Sequence, residues 1–250
     1  MTKTRNNLSS YCPTYKYQYA GTCYAYAAAY SGLSTEFNIK HNITDRNEVE
    51  NTTYSAGVVA SYHNSSLWFY KRSKTCDQLG TAQKALKILK KVGTVFSSDF
   101  DCGCLRFSDI KKQVSPKIHW QRITDYSRLK VHNKYSDSNV EWIKSALSKN
   151  HPVIIGMWQN DFVRNLLVGS IDYELPDQQT LDFVAQYRKG ISNHAACIVG
   201  YDDAYNGGEK GYFLLKNNFA NWGDGAGFCW MPYSYLTPMI YEAYYIKGFR

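Results

Sequence analysis

The chain has 250 residues, enough for a domain with a substantial buried core, and 44% hydrophobic with 20% charged residues is a globular composition, neither disordered nor collagenous. No apolar run, Pro152–Trp158 among the longest, approaches the roughly 18 residues that a membrane-spanning helix requires. The net charge is +8, and seven cysteines are too few for a disulfide-stapled miniature scaffold and odd in number, so at least one thiol stays unpaired within a monomer.

The first ten residues, MTKTRNNLSS, carry positive charge with no apolar stretch behind it, unlike a signal peptide. After an irregular start, Cys23–Asn38 reads as an Ala-rich helix. Ala56–Tyr70 is a second helix, and Thr81–Lys91 a third, closed by Gly93. Lys117–Thr124 reads as a strand and Asn139–Leu147 as a short helix. Strand-like runs follow at Val153–Trp158, Ala195–Tyr201, Gly211–Leu215, Phe228–Met231 and Tyr244–Ile246. Helices first and an antiparallel sheet second indicate an α+β fold of two subdomains around a cleft, about 12–115 and 116–250.

The basic excess belongs to the helical part. Residues 1–115 hold 15 Lys and Arg against 8 Asp and Glu; residues 116–250 hold 14 against 13. Lys87, Lys90 and Lys91 fall at helical spacing and read as a solvated face. No phosphate-binding loop, RNA-binding signature or zinc-finger spacing accompanies them, so nucleic acid is not expected as a partner. Cys102-Gly103-Cys104 is a poor spacing for zinc, with no second pair, and no metal is expected.

Cys23 follows Gly21-Thr22 and opens the Ala-rich helix, where the helix N-terminus favours a thiolate. A nucleophilic thiolate needs a proton acceptor that can later protonate the leaving group. Of six histidines, five sit in polar or loop-like surroundings and read as surface residues. His194 stands where a Gly/Ser/Asn loop meets the strand Ala195–Tyr201, a position that delivers a side chain to a cleft.

Three stretches in order carry a resemblance: Gln18 with Gly21-Thr22-Cys23-Tyr24-Ala25-Tyr26, then Asn193-His194-Ala195 with Val199–Asp203, then Leu215-Lys216-Asn217-Asn218-Phe219 with Trp222-Gly223-Asp224 and Gly227-Phe228. Together they resemble the papain-like cysteine peptidases. Cys76–Gly80 followed by Ala85-Leu86, and Ile143–Leu147 followed by Pro152-Val153, extend the likeness over nearly the whole chain. Phe228–Tyr233 is similar to the bacterial-type branch. The resemblance implies a helical subdomain, an antiparallel β-barrel-like subdomain and an active-site cleft between them. It implies Cys23 as nucleophile, His194 as general base and acid, Asn217 orienting His194, and Gln18 with the Cys23 amide in the oxyanion hole. It places Leu79, Gly80, Gly156, Asn193 and Ala195 along the substrate, with Glu242 near the floor of the second subsite, where it would favour a basic side chain. No cofactor is implied, and the substrate is a protein or peptide.

Several departures accompany the likeness. Gln18 lies five residues before Cys23, where the family has six. Phe219 replaces the tryptophan that shields the histidine–asparagine bond. The long Cys23–His194 separation implies insertions, with Phe162–Lys189 as the candidate. Ala20 stands where the family has the cysteine that pairs with the one at Cys76, so that bridge is missing and a reducing compartment is indicated, or secretion if this is a trimmed mature form. Family members carry an inhibitory propeptide, whereas 22 residues precede Cys23 here; a mature form and another mode of control both stay open. A transamidating, deamidating or isopeptidase enzyme using the same residues is the alternative activity, and a basic binding module without catalysis the alternative of another class.

Overall fold

The computed structural model describes residues 4–18, 21–101, 103–132, 136–159, 192–205 and 211–250. The expected Phe162–Lys189 insertion lies outside them, as does Cys102. The first helix runs further than its Ala-rich core suggests. It begins as α1 (Cys23–Ala25), widens into a π-helix over Tyr26–Leu33 and resumes as α2 (Ser34–His41). Residues 22–36 are buried without a break, so this is an interior helix with no polar face. It lies close on the sheet because residue 32 is glycine: a Cβ there would come within 2.7 Å of Ile154 Cδ1.

The next helices are set by their caps. Asp45 accepts the Glu48 amide ahead of α3 (Arg46–Asn51), and Ser55 accepts the Val58 amide ahead of α4 (Ala56–Ser65). α4 ends five residues short of the expected Tyr70. There the Arg72 guanidinium donates to the carbonyls of Ser65 and Leu67, and the chain turns, leaving Trp68, Phe69 and Tyr70 exposed. Thr81 caps α5 (Ala82–Lys91), whose Ala82, Ala85, Leu86, Ile88 and Leu89 form one buried stripe. Gly93, at φ +82°, turns the chain out of it.

The strand expected at Lys117–Thr124 is displaced. Residues Phe107–Gln113 form α6, and Ile118 and Trp120 pack onto a small separate core of Val58, Val95, Phe100, Ile110 and Val114. Side chains claimed by that core cannot alternate in a sheet, and the strand proper is β2 (Ile123–Arg128). α7 (Asp137–Leu147) follows, capped by Ser136.

The sheet is antiparallel throughout, in the order β2, β7, β3, β4, β5, β6, where β3 is Val153–Gln159, β4 Ser192–Asp202, β5 Tyr212–Lys216, β6 Phe228–Pro232 and β7 Ile240–Phe249. A short α8 (Tyr233–Leu236) follows β6. An unforeseen strand, β1 (Arg5–Asn7), pairs with Gly200–Asp202 of β4, beyond the end of β3. The expected barrel-like closure is corrected: β2 and β6 are the two ends of an open path and do not pair among the described residues. No described helix is long and apolar enough to cross a membrane.

The family's bridge from Cys76 is missing, since position 20 is alanine, but Cys76 is paired elsewhere. Cys76 is bridged, to Cys104, across 28 residues that span α5 and the small core. The reasoning toward a reducing compartment loses its premise, and Cys104 is spent on a disulfide. Loop closure over that span constrains the unfolded chain by about 3–4 kcal/mol. Cys76→Ser should therefore lower the free energy of unfolding by roughly 3 kcal/mol in urea melts; an unchanged midpoint would mean that the bridge does not restrain this loop.

Candidate active site

The register of β3 against β4 sets the site. Gly156 faces Ala195, Met157 faces His194 and Trp158 faces Asn193, while Gly156 is also paired with Glu242 of β7. His194 is buried at 4% exposure, and its Nε2 lies 2.9 Å from the Asn217 Oδ1. Phe219 stacks on the imidazole, with centroids 5.0 Å apart and planes 21° from parallel. The expected shielding ring is therefore present, as phenylalanine.

Asn217 stands at the start of the β5–β6 connection, and its surroundings fix it. Its N–H donates to the Gly227 carbonyl, and its Oδ1 also accepts the Asn218 N–H at 2.8 Å. With two donors on that oxygen, the amide holds one orientation, oxygen toward the histidine. Asn218 Nδ2 reaches Ser31 Oγ in the π-helical turn, and the Asn218 carbonyl accepts the Gln18 N–H at 3.2 Å. One short connection thus ties the histidine's partner to the cysteine's helix and to the Gln18 segment. Gln18 is 7% exposed, and its Oε1 is buried with no hydrogen-bond partner among the described residues.

Cys23 opens α1 and is 8% exposed. The amide of Ala195, the neighbour of His194, reaches its sulfur together with the amides of Tyr24 and Cys23. Burial pushes the thiol up, and these amides offset only part of that, so the expected depression is not what the isolated thiol experiences. Burial likewise pulls His194 down to about 4, opposed by the Asn217 bond. Charging either group alone is penalised. Moving a proton from sulfur to imidazole would leave the total charge of the site unchanged.

The positions of the expected substrate-side residues are as follows. A Cβ on Gly80 would sit 2.6 Å from the Tyr24 ring, and one on Gly21 would sit 2.8 Å from the Asp77 carbonyl, so residues 77–80 form a wall directly beside the cysteine. Leu79 on that wall is 72% exposed. Ala195 is buried and Asn193 exposed. Glu242 fills the space in front of Gly156, but its Oε1 accepts the Ala82 N–H at 2.9 Å and its Oε2 the Tyr244 hydroxyl at 3.2 Å. Its carboxylate holds the start of α5 against β7.

Three contributors escaped the sequence reading. His63, expected at the surface, is buried and bonded through Nδ1 to the Tyr24 hydroxyl at 2.8 Å, fixing the ring against which Gly80 rests. The Tyr241 ring lies against Gly156 and meets Trp158 at a tilt, with centroids 5.0 Å apart; its place beside Glu242 in β7 was the available signal. Lys216 is wholly buried. Its Nζ donates to the Asn217 carbonyl at 2.6 Å and the Asn218 Oδ1 at 3.1 Å, beneath the rings of Tyr30 and Phe228. No carboxylate pairs with it among the described residues, and burial pulls its ammonium down to about 8.

No protein-family model matches the sequence, and no curated protein matches it at the sequence level. Solved structures do match the fold. Xylellain, a cysteine protease from Xylella fastidiosa, superposes with a TM-score of 0.65 at 19% identity, covering 100% of this chain and 88% of its own. The bromelain protease from Ananas comosus, solved with the E64 inhibitor, gives 0.63 at 18% identity and 98% coverage of both chains. Digestive procathepsin L 3 of Tenebrio molitor gives 0.65 at 16%, covering 98% of this chain and 70% of its own. The chain has the papain-like cysteine protease fold.

Proposed function

We propose that this protein is a cysteine peptidase, its whole length forming one catalytic domain with the cleft between the helices and the sheet. The observation that carries the reading is the His194 Nε2–Asn217 Oδ1 bond under Phe219, on the strand whose next amide reaches the Cys23 sulfur. With Nε2 committed to Asn217, the other imidazole nitrogen takes the thiol proton. The Cys23 sulfur attacks the scissile carbonyl, and the tetrahedral oxygen is met by the Cys23 N–H and the Gln18 amide. His194 returns its proton to the leaving amine, giving a thioester that water hydrolyses. Leu79, Gly80, Gly156, Asn193 and Ala195 flank the substrate, with the exposed Leu79 offering an apolar contact to its side chain.

The direct test is labelling by an epoxysuccinyl probe followed by a peptide-library cleavage profile. Cys23 should react far faster than buried Cys12, Cys197 and Cys229, and cleavage should vanish in Cys23→Ala. Uniform labelling, or incorporation of an added amine with no peptide cleavage, would overturn the peptidase reading.

Two further outcomes follow from the site's burial. A histidine held at about 4 in the folded chain, against about 6.5 unfolded, binds fewer protons folded than unfolded between those values. Its contribution is therefore lost as pH falls from about 6.5 to about 4, by roughly 3 kcal/mol. Urea melts across that window should show the slope in the wild type and a flatter one in His194→Asn; equal slopes would count against a buried neutral imidazole. Phe219→Ala admits water to the His194–Asn217 bond and should lower kcat about tenfold with KM little changed. A change confined to KM would place Phe219 in substrate binding instead.

A further inference from the structure

α5 has a second face away from the cleft, and it is electrically unusual. Lys87 and Lys91 are one turn apart on it, with Lys90 between them, and Arg128 is brought alongside from β2. Like charges at this helical spacing repel. The C-terminal end of α5 accounts for Lys90 and Lys91 through the helix dipole, but not for Lys87 or for an arginine delivered by another element. One carboxylate, Asp125, stands among them, and it is already shared between Lys90 at 2.9 Å and Lys247 at 3.4 Å. Lys87, Lys91 and Arg128 have no carboxylate partner among the described residues. These cations surround a depression of about 540 Å³ whose floor includes Tyr126 and Tyr244, two rings that meet edge to face at 5.9 Å.

The depression adjoins the site already described. Tyr244 donates its hydroxyl to Glu242, which lies in front of Gly156 and holds the Ala82 amide. Along α5 from Ala82 to Lys87 the rise is only about 7.5 Å, the span of two or three extended residues.

We propose that this depression is a second binding site, taking the carboxylates of an acidic segment of the polypeptide substrate a few residues from the bond that is cut. The inference rests on the peptidase reading for the nature of the substrate, but its binding chemistry is separate. The uncompensated cations supply the charge, and the partly exposed Tyr126 ring, backed by buried Tyr244, accepts the methylenes of glutamate side chains. The volume suits a few residues of chain rather than an extended duplex. This gives the lysine cluster at 87–91, read from sequence as a solvated face, a partner.

The test uses the full chain carrying Cys23→Ala and a fluorescein-labelled peptide containing a run of glutamates, read by fluorescence polarisation at low and at physiological salt. Binding should weaken at least about tenfold in Lys87→Glu/Arg128→Glu, and stay within about twofold in Lys40→Glu/Lys149→Glu, which changes net charge equally around a different depression. Lys87→Gln/Arg128→Gln reads the same loss more weakly if the double reversal does not fold. Equal effects of the two reversals, or no binding at low salt, would overturn the proposal. So would displacement by tripolyphosphate or an oligonucleotide at far lower concentration than by the unlabelled peptide, which would assign the site to phosphate. In the active chain, a glutamate-bearing substrate should lose its KM advantage over a neutral one in the first variant only. Selective peptide binding without any cleavage would sink the peptidase reading and leave this site standing.

Discussion

The pairing of β3 with β4 is the constraint on which the rest depends. Strand side chains alternate faces, so slipping this register by one residue would turn His194 away from Asn217 and put Ala195 in its place. Every residue of β3 except Trp158 is buried, so the register is held by specific packing, with Ile154 against Gly32 and Gly156 against Glu242. The interior helix is docked on the same strand at Gly32 and Ile154, which fixes where Cys23 stands relative to His194. Site geometry is thus inherited from core packing, with the polar groups adding orientation.

Those polar groups form a compact system around the β5–β6 connection. Asn217 is pinned from two sides at its oxygen and from its own N–H, Asn218 bridges to the helix, and Lys216 caps both from below. Such a buried network specifies one arrangement only when its members are satisfied together. Its atoms without a hydrogen-bond partner among the described residues, Gln18 Oε1 and Asn217 Nδ2, lie at the proposed site.

The fold and the central residues were legible because they are encoded in short local words: Cys23 before an Ala-rich helix, His194 at a loop-to-strand junction, Asn217 in a turn with an aromatic two residues on. What was not legible depends on distant partners. The Cys76–Cys104 bridge is decided by how α4 and α6 pack, since nothing near Cys76 announces Cys104. His63 looks polar in its local setting and becomes interior only because Tyr24 arrives from another helix. The strand expected at Lys117–Thr124 moved because a small core claimed Ile118 and Trp120. The Glu242 carboxylate is bonded to the Ala82 amide, 160 residues earlier, a partner its local sequence does not announce.

Lys216 carries a consequence for how this molecule can change. An ammonium taken wholly out of water, with carbonyl and amide oxygens but no carboxylate beside it among the described residues, is a standing cost to the folded state. An apolar residue of similar length would relieve that cost and release the asparagine it braces. Robustness and catalytic order therefore pull in opposite directions at one side chain, and selection for a hardier protein alone would erode the site from underneath while leaving its visible residues untouched.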